Sequence, residues 1–436
     1  MGQSLSRSHW TMVVISIRWS KRNLPRLSMK FKLVLVRKQF YLQRKSFYGL
    51  HVEVVLVRSG VNFLFSIIWN DIRRSYCSCW SLFRFSLSRS NIATDSRGRK
   101  MLIKRRALIA LLGGILITAS LAASADTLRL SSETSDSTSR NMGAKRFADL
   151  VEKASGGETQ VRVFANAVLS GGDQLKQAEM VGRGDIDFVL STAISISPLI
   201  PEMSVFSLPY LYRNYDEVDA TLVGEPAEKM TDIMAEHGLV VLGWGESGFR
   251  ELTNSVRPIK SPDDLKGMKI RVAGPMFIDV MEELGANPQQ IQWTETFSAL
   301  QQGVVDGQEN PVGAIIVPQR IYEVQKYLTR WHYSYDPAFL AVSQEKWNSW
   351  SLEKREMIRK SAQEAMEYQK RITRQQTQTG YETLKDKGME IYKPNAGELE
   401  AFQQATRQTF DQWSAKVGPS LVDTFQDAID EVREED

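Results

Sequence analysis

The sequence predicts an α/β fold made of two lobes, and three observations lead to this prediction. From residue 126 onward, strand and helix signals alternate up to the apolar run 186–190, which is typical of a strand buried on both faces. A second alternating series begins after Arg250. The stretch 351–387 then contains no proline, and as a helix it would extend roughly 55 Å, farther than one lobe of this size is wide. We therefore expect one long helix that belongs to both lobes.

Two periodicities predict the elements of the first lobe. Apolar residues alternate in short strands, and they recur on one helix face at Phe147, Leu150, Val151 and Ala154 before Gly156 ends that helix. The predicted elements are strands at 127–131, 160–165, 186–190 and 239–244, and helices at 139–154, 173–182 and 225–237.

Local start signals predict the elements of the second lobe. Ser261 can cap a helix with its hydroxyl, and Pro262 has a fixed φ that suits the first helical position. Two acidic residues follow in the first turn. Gly380, near the end of the long helix, is a candidate bend or interruption. The other predicted elements are a strand at Met268, helices around Phe277 and at 295–302, a strand at 389–393 and two final helices.

A nine-residue stretch that ends at Pro311 has the sequence Gly-Val-Val-Asp-Gly-Gln-Glu-Asn-Pro. Gly303 fits the left-handed position that closes a helix, and Val304 with Val305 predicts a short strand. Pro311 disfavours the helical region for Asn310, which we therefore expect in an extended or turn conformation at the strand end. The Asn310 amide can donate and accept, so it either contacts a ligand or hydrogen-bonds its own turn.

Arg271 lies near the carboxyl end of another predicted strand, Lys-Ile-Arg-Val, which runs into a Gly-Pro turn. A guanidinium there can hold a carboxylate through two parallel hydrogen bonds, which a lysine cannot reproduce. The alternative is a solvated strand residue without a ligand. Because the carboxyl ends of neighbouring strands meet at one edge of an α/β sheet, we expect Arg271 and Asn310 to converge there.

Residues 1–100 differ in charge from the rest of the chain. They contain 19 Lys and Arg against 3 Asp and Glu, together with both cysteines, whereas the remainder has 36 basic and 48 acidic residues. The leading segment is therefore a nucleic-acid arm, a targeting peptide or no part of the natural protein. Its Cys-Ser-Cys motif lacks a second pair and is a weak metal signal, and none of its apolar runs reaches the length of a membrane span.

A secretory signal peptide is predicted at 101–125. Its basic start is followed by an apolar run of secretory length, and Ala123-Ser124-Ala125 forms a small-residue cleavage site. The alternative is that the apolar run anchors the chain in a membrane behind a basic cytoplasmic segment.

Because such a signal works only at an amino terminus, we predict that translation starts at Met101 and that the mature protein begins at Asp126, in the periplasm. Residues 1–100 would then be a non-native N-terminal extension from a start codon assigned too early. The predicted mature protein has no cysteine and 33 basic against 48 acidic residues. This balance argues against nucleic-acid binding, and without disulfides the fold must rely on a large core.

The predicted mature protein lacks the residue patterns of common catalytic centres. It contains two histidines, His237 and His332, and neither a Gly-x-Ser-x-Gly nor a His-Glu-x-x-His motif. We predict that the protein is not an enzyme and that it uses no cofactor or metal.

Five motifs stand out together. They are Gly-Phe-Arg-Glu-Leu-Thr-Asn around Arg250, Lys-Ile-Arg-Val around Arg271, Thr-Phe-Ser-Ala-Leu-Gln-Gln-Gly at 296–303, Asp-Gly-Gln-Glu-Asn-Pro at 306–311 and Tyr-Glu-Val at 322–324. This combination resembles the DctP-like solute-binding proteins of tripartite ATP-independent periplasmic (TRAP) transporters, over essentially all of 126–436. The resemblance implies a two-lobed periplasmic binding protein fold with a ligand cleft between the lobes and a long helix spanning both. The implied lobes comprise 126–248 with about 338–377, and 249–337 with about 378–436.

The resemblance also implies which residues hold the solute. Arg271 would pair with a solute carboxylate, Asn310 would hydrogen-bond that carboxylate, and Arg250 would be a second anionic contact. Trp293 would pack on the solute; the residue alone equally fits a half-buried core tryptophan. Glu133 would contact the variable part of the solute; the residue alone fits a solvated turn acid.

The implied function is that of an extracytoplasmic receptor. It would capture a small organic acid by cleft closure and deliver it to the membrane subunits of a TRAP transporter. Oligomeric state is left open, with a monomer favoured. A second possibility is a solute-sensing ectodomain without a transport role.

One departure bears on the solute. Family members that bind ectoine share a tryptophan and a strand-end glutamate resembling Trp293 and Glu133, but they carry aromatic residues where this chain has Val312 and its neighbours. We therefore expect an organic or sugar acid, with ectoine or another zwitterion as the alternative. A glutamate that faces the solute would repel a second carboxylate unless Arg250 offsets it.

Overall fold

The computed structural model describes residues 126–435 and, before them, the backbone of four strands. These strands are β1 (Val14–Arg18), β2 (Ser28–Lys30), β3 (His51–Arg58) and β4 (Val61–Ile68), which pair antiparallel in the order β2-β1-β3-β4. The predicted signal peptide lies outside the described residues. Within the described part of the chain, no helix combines the length and the apolar character that a membrane crossing requires.

The other ten strands form one mixed sheet. They are β5 (Asp126–Ser132), β6 (Thr159–Phe164), β7 (Phe188–Thr192), β8 (Leu239–Asn254), β9 (Lys269–Val272), β10 (Asn287–Gln290), β11 (Gly307–Pro311), β12 (Tyr327–Thr329), β13 (Tyr335–Ser343) and β14 (Glu390–Tyr392). The main order is β10-β9-β11-β8-β13-β7-β5-β6, with β12 joining β8 to β14.

Strand direction divides this sheet into two lobes. Strands β5, β6 and β7 run parallel to one another in the first lobe, and β9, β10 and β11 do so in the second. The two long strands β8 and β13 pair antiparallel and connect the parallel groups. This architecture confirms the two-lobed α/β fold that the sequence predicts.

Helices cover the sheet. They are α1 (Ser139–Ala154), α2 (Gln174–Gly182), α3 (Ala193–Ile196), α4 (Tyr215–Thr221), α5 (Gly224–Glu236), α6 (Pro275–Glu283), α7 (Trp293–Gln301), α8 (Gln344–Ser349), α9 (Leu352–Asp386), α10 (Ala396–Ala405), α11 (Arg407–Val417) and α12 (Pro419–Glu435). Apolar side chains pack between helices and sheet in both lobes, for example Phe147 with Leu128 in the first and Leu384 with Leu328 in the second.

The long helix α9 has 35 residues and contacts both lobes, as predicted. The Ser351 side chain caps it by accepting a hydrogen bond from the Lys354 main-chain N–H at 3.2 Å. Gly380 does not interrupt the helix. A Cβ at this position would lie 2.6 Å from Cγ1 of Val312, so the glycine permits close packing of α9 on the second lobe.

The carboxyl-terminal segment forms three helices after α9, whereas the sequence predicted two. Gly418, at φ 106°, separates α11 from α12. Helix α12 packs on the first lobe, where Phe425 contacts Phe206 with ring centroids 5.0 Å apart. Arg433 of the same helix pairs with Glu217 of α4 at 2.9 Å. The last helix therefore returns to the first lobe.

The prediction that Val304 and Val305 form a strand is wrong, because strand β11 begins at Gly307. Gly303 takes the left-handed conformation, and the Val304 N–H donates to the Ala299 carbonyl at 2.9 Å, so the helix-closing turn extends to Val304. Val304 is consequently exposed, and strand β11 consists of the polar residues that follow. Strand β8 likewise continues ten residues beyond its predicted end at residue 244.

Candidate functional site

Strand register brings Arg271 and Asn310 to the same place. Arg271 on β9 lies opposite Gln308 on the parallel neighbour β11. Because side chains alternate between the faces of a strand, Arg271, Gln308 and Asn310 share one face of the sheet. Both Arg271 and Asn310 line a cavity between the lobes. The predicted convergence of the two strand ends is therefore present.

The Arg271 guanidinium is buried without a matching anion. Its side chain donates through Nε to the Ile291 carbonyl at 2.9 Å, and its Cζ lies 5.6 Å from the ring centroid of Trp293. Among the described residues, no carboxylate forms an ion pair with Arg271. Burial lowers the Arg271 pKa to about 10, an effect that the more distant Glu309 and Glu133 only partly oppose. A ligand carboxylate would supply the missing charge.

The Asn310 side chain has two protein partners. Its Oδ1 accepts from Nη2 of Arg250 at 3.3 Å, and its Nδ2 donates to Oε1 of Gln308 at 2.5 Å. The residue lies within strand β11, so it adopts the extended conformation, which is one of the two that the sequence predicts. Because an amide nitrogen carries two protons, Asn310, which lines the cavity, has a second N–H beyond the one that it donates to Gln308.

Arg250 differs from Arg271 because two carboxylates already offset its charge. It forms ion pairs with Glu309 and, at 3.3 Å, with Asp336, and it also donates to the Glu309 carbonyl at 2.9 Å. Burial disfavours the Arg250 charge, but these two acids outweigh burial and raise its pKa. Arg250 lines the cavity while its charge is neutralised by the protein.

Asp336 joins this cluster to the first lobe. Its Oδ1 accepts from the main-chain N–H of Ile194 in α3 at 3.2 Å, while Oδ2 receives Arg250. Burial raises the Asp336 pKa to about 6, and the nearby arginines Arg250 and Arg140 counteract this rise only in part. The carboxyl group therefore links a second-lobe cation to first-lobe backbone.

Glu133 is buried in the first-lobe wall of the cavity and is not a solvated turn acid. Oε1 pairs with Nη1 of Arg140, while Oε2 accepts from Gln174 Nε2 at 2.8 Å and from Ser191 Oγ at 3.3 Å. The Arg140 guanidinium also donates to Ser247 Oγ at 3.1 Å. The cation that offsets Glu133 is thus Arg140; the sequence suggested Arg250 for this role.

Several contacts close the cavity between the lobes. The Trp293 main-chain N–H, at the start of α7, donates to Oε1 of Gln174 in the first lobe at 3.3 Å. Ser137 Oγ donates to the Pro318 carbonyl at 3.2 Å. Trp293 itself is half-buried, with its ring towards Arg271, so its position fits the predicted packing surface.

The cavity enclosed by these residues measures about 20 Å³, which is room for roughly one water molecule. A larger hollow of about 570 Å³ lies beside α10–α12 and is lined in part by Tyr210, Arg407 and Arg433. These two arginines are already paired, Arg407 with Asp411 at 3.0 Å and Arg433 with Glu217 at 2.9 Å. The unmatched Arg271 charge makes the small cavity the candidate binding site.

Sequence reasoning missed Arg140, Gln174 and Asp336. Arg140 and Gln174 stand at the starts of α1 and α2, where a polar side chain is unremarkable in sequence. Asp336 is 86 residues from its partner Arg250. A signal for Asp336 did exist, because an acid within the apolar run of β13 needs a buried partner.

Comparison with known proteins gives concordant results. The model of the family "Bacterial extracellular solute-binding protein, family 7" (DctP) matches residues 130–416. The 2,3-diketo-L-gulonate-binding periplasmic protein YiaO of Escherichia coli K12 is 32% identical over 317 residues, which is 72% of this chain and 94% of YiaO.

The solved structures that resemble this one include the following two. A TRAP periplasmic solute-binding protein from Ralstonia eutropha H16, with bound (S)-2-acetolactate, has 32% identity and a TM-score of 0.68, covering 70% of this chain and 99% of its own. The sugar acid binding protein DctPAm from Advenella mimigardefordensis, in complex with galactonate, has 30% identity and a TM-score of 0.68, covering 70% and 98%. This chain therefore belongs to the DctP family of extracellular solute-binding proteins.

Proposed function

We propose that this protein captures a small organic acid in the cleft between its lobes and delivers it to the membrane subunits of a TRAP transporter. The observation that carries the proposal is the buried Arg271 guanidinium, which has no ion-pair partner among the described residues and lines the same cavity as Asn310. A carboxylate bound there would make charge-assisted hydrogen bonds with Arg271 and a further bond with Asn310.

The chemistry of the relatives supports an acid. The ligands named for the similar proteins, 2,3-diketo-L-gulonate, (S)-2-acetolactate and galactonate, each carry a carboxylate. Arg250 would act at longer range, because Glu309 and Asp336 already neutralise it while its Nη2 holds the Asn310 amide. Trp293 would pack on the carbon skeleton of the solute.

Binding requires the lobes to separate, because ligand pockets commonly measure ~300 Å³ or more and the closed cavity holds about 20 Å³. An irregularity in the pairing of β8 with β13 supports a hinge at the proposed lobe boundaries, near residues 248 and 337. Asp336 pairs with Gly248 and Pro337 with Glu246, so Ser247 is a bulge without an opposite residue. A solute that contacts both lobes would favour the closed state by its additional contacts there.

Transport and export remain parts of the same proposal. Relatives are named as periplasmic proteins, and the segment 101–125 fits a secretory signal. Amino-terminal sequencing of the native protein should give Asp126. A native chain that starts near Met1 would overturn the export step.

Ectoine is disfavoured by the state of Glu133. A cationic solute ring would need a carboxylate whose charge is not already offset, but the Glu133 charge is paired with Arg140. We therefore propose a binding receptor for acids, without catalytic activity.

A thermal-shift screen tests the proposal. The purified protein is heated with aldonates, uronates, 2-oxo acids, C4 dicarboxylates and ectoine. A ligand applied at about 100 times its Kd for the folded state stabilises that state by about 2.7 kcal/mol, which raises Tm measurably. Stabilisation by an acid is the expected result. If ectoine alone stabilises the protein, or if none of the acids does, the result would count against Arg271 as a carboxylate anchor.

A further inference from the structure

We infer that the cleft selects hydroxylated monocarboxylates and rejects dicarboxylates, with the Glu133–Arg140 pair as the selecting feature. This inference rests on the proposed function, since it takes Arg271 as the carboxylate anchor. It assigns to the first-lobe wall the recognition of hydroxyl groups at the other end of the solute.

The charged residues around the cavity can neutralise one solute carboxylate. Three arginines lie there, and two of them are matched: Arg140 by Glu133, and Arg250 by Glu309 and Asp336. Arg271 is the arginine that forms no ion pair with the described residues. One solute carboxylate would pair with Arg271, and among the described residues that line the opposite wall a second carboxylate would find no cation without a partner.

The first-lobe wall presents neutral donors and acceptors next to Glu133. Thr192 Oγ1 and Ser195 Oγ are 3.0 Å apart, and Gln174 Nε2 reaches Ser195 Oγ at 3.4 Å. Hydroxyl groups both donate and accept, so they suit a surface of hydroxyls, an amide and a carboxylate. Apolar contacts from Ile194 and Trp293 would cover the intervening carbon atoms.

A dicarboxylate could bind only by taking Arg140 from Glu133. That exchange would leave the buried Glu133 carboxylate without its cation, and it would bring two like charges together in a space where water does not screen them. A solute hydroxyl can instead donate to a Glu133 oxygen while Arg140 stays in place. The wall therefore discriminates by repulsion as well as by attraction.

Matched acid pairs test the inference directly. Gluconate and glucarate differ at one terminal carbon, and so do erythronate and meso-tartrate. Isothermal titration of the purified protein should show that at least one monocarboxylate of these pairs binds at least about 100-fold more tightly than its dicarboxylate partner, equivalent to about 2.8 kcal/mol. A dicarboxylate that binds as tightly as its monocarboxylate partner would overturn the inference and leave the proposed function intact. Failure of all monocarboxylates and dicarboxylates would overturn both.

The variant Glu133→Gln tests the assigned residue. It keeps the shape of the side chain but releases the Arg140 charge, so the preference for the monocarboxylate should fall by at least about tenfold, mainly through tighter dicarboxylate binding. Asp136→Asn is the matched control, since it removes an exposed acid of the same loop that pairs with Lys145 outside the cavity. An unchanged preference in Glu133→Gln, or an equal change in Asp136→Asn, would contradict the role of Glu133.

Discussion

Gln174 of the first lobe accepts a hydrogen bond from the main-chain N–H of Trp293 in the second lobe, at 3.3 Å. The same amide donates to Glu133 at 2.8 Å. Gln174 therefore connects the acid of one cleft wall to the helix start of the other. The two bonds can exist together only when the lobes are closed.

Replacing Gln174 by alanine should weaken solute binding while leaving the unliganded protein stable. One cross-cleft hydrogen bond contributes about 0.5–1.5 kcal/mol, so we expect a rise in Kd of about 2- to 12-fold. Isothermal titration with the solute found in the acid screen measures it. Gln160→Ala, an exposed change on β6, should leave Kd unchanged. Equal Kd values for the two variants would show that the Gln174 bond does not contribute to closure.

Arg271→Met and Arg250→Met should have opposite effects on stability. The folded protein holds the Arg271 proton less tightly than the unfolded chain does, so at neutral pH the charge destabilises the folded state, by up to about 3 kcal/mol given a pKa near 10. Methionine of similar length should therefore stabilise the unliganded protein. Arg250→Met should cost about 3–5 kcal/mol, because it leaves two buried carboxylates without their cation.

Chemical denaturation of both variants without solute measures these differences, and titration with the acid ligand measures binding. We expect both variants to lose measurable affinity, Arg271→Met through the missing anchor and Arg250→Met through the displaced Asn310 amide. Retained affinity in Arg271→Met would refute the assignment of the carboxylate anchor.

The sequence predicts elements with strong local signals well. Helix α9 was expected at 351–387 and occupies Leu352–Asp386, since the composition and the Ser351 cap are local properties. Helix α1 begins at Ser139 and ends at Ala154, which are the bounds that the sequence predicts. Ser261 and Asp264 form a reciprocal capping box, as the N-cap signal indicates, although the helix that follows is a short 3-10 turn.

Sites that depend on distant pairing are predicted less well. Strand β11 carries Gln308, Glu309 and Asn310 in its buried interior, where alternating apolar residues would be expected. These side chains are tolerated because partners far away in sequence satisfy them, including Thr253 for Gln308 and Arg250 for Glu309. Residue type at one position does not reveal a partner about 55 residues away.

The pH dependence of stability should contain a contribution from Glu246, near the proposed hinge. Burial raises the Glu246 pKa from 4.5 to about 7, although Arg374 counteracts this by donating to Oε2 at 2.8 Å. The folded state therefore holds this proton more tightly than the unfolded chain does. As pH rises from 4.5 to 7, the Glu246 contribution to the free energy of unfolding should fall by about 3 kcal/mol.

Glu246→Gln removes this titration. Denaturation of both proteins between pH 4.5 and 8 should show the stability of the variant rising relative to wild type up to about pH 7 and then levelling. Glu364→Gln is the control, since Glu364 is half-exposed on α9 and pairs with Arg146. A constant difference between Glu246→Gln and wild type across this range would contradict a raised pKa.

Glycines in α9 and in other helices should respond to substitution by alanine according to the space around each one. A Cβ at Gly380 would lie 2.6 Å from Val312 Cγ1, and a Cβ at Gly143 on α1 would lie 2.7 Å from Cβ of Gln369 on α9. Alanine normally stabilises a helix interior by up to about 1 kcal/mol relative to glycine. At these two positions overpacking should outweigh that gain and cost about 1–3 kcal/mol.

Gly397→Ala is the matched control in helix α10, where the nearest atom to an added Cβ, Oδ1 of Asn395, is 3.5 Å away. This variant should stabilise the protein by about 0.5–1 kcal/mol. Chemical denaturation of the three variants tests the contrast. Stabilisation of all three would mean that α9 moves away from both lobes without cost, and the close glycine contacts would then have no part in holding the lobes to their common helix.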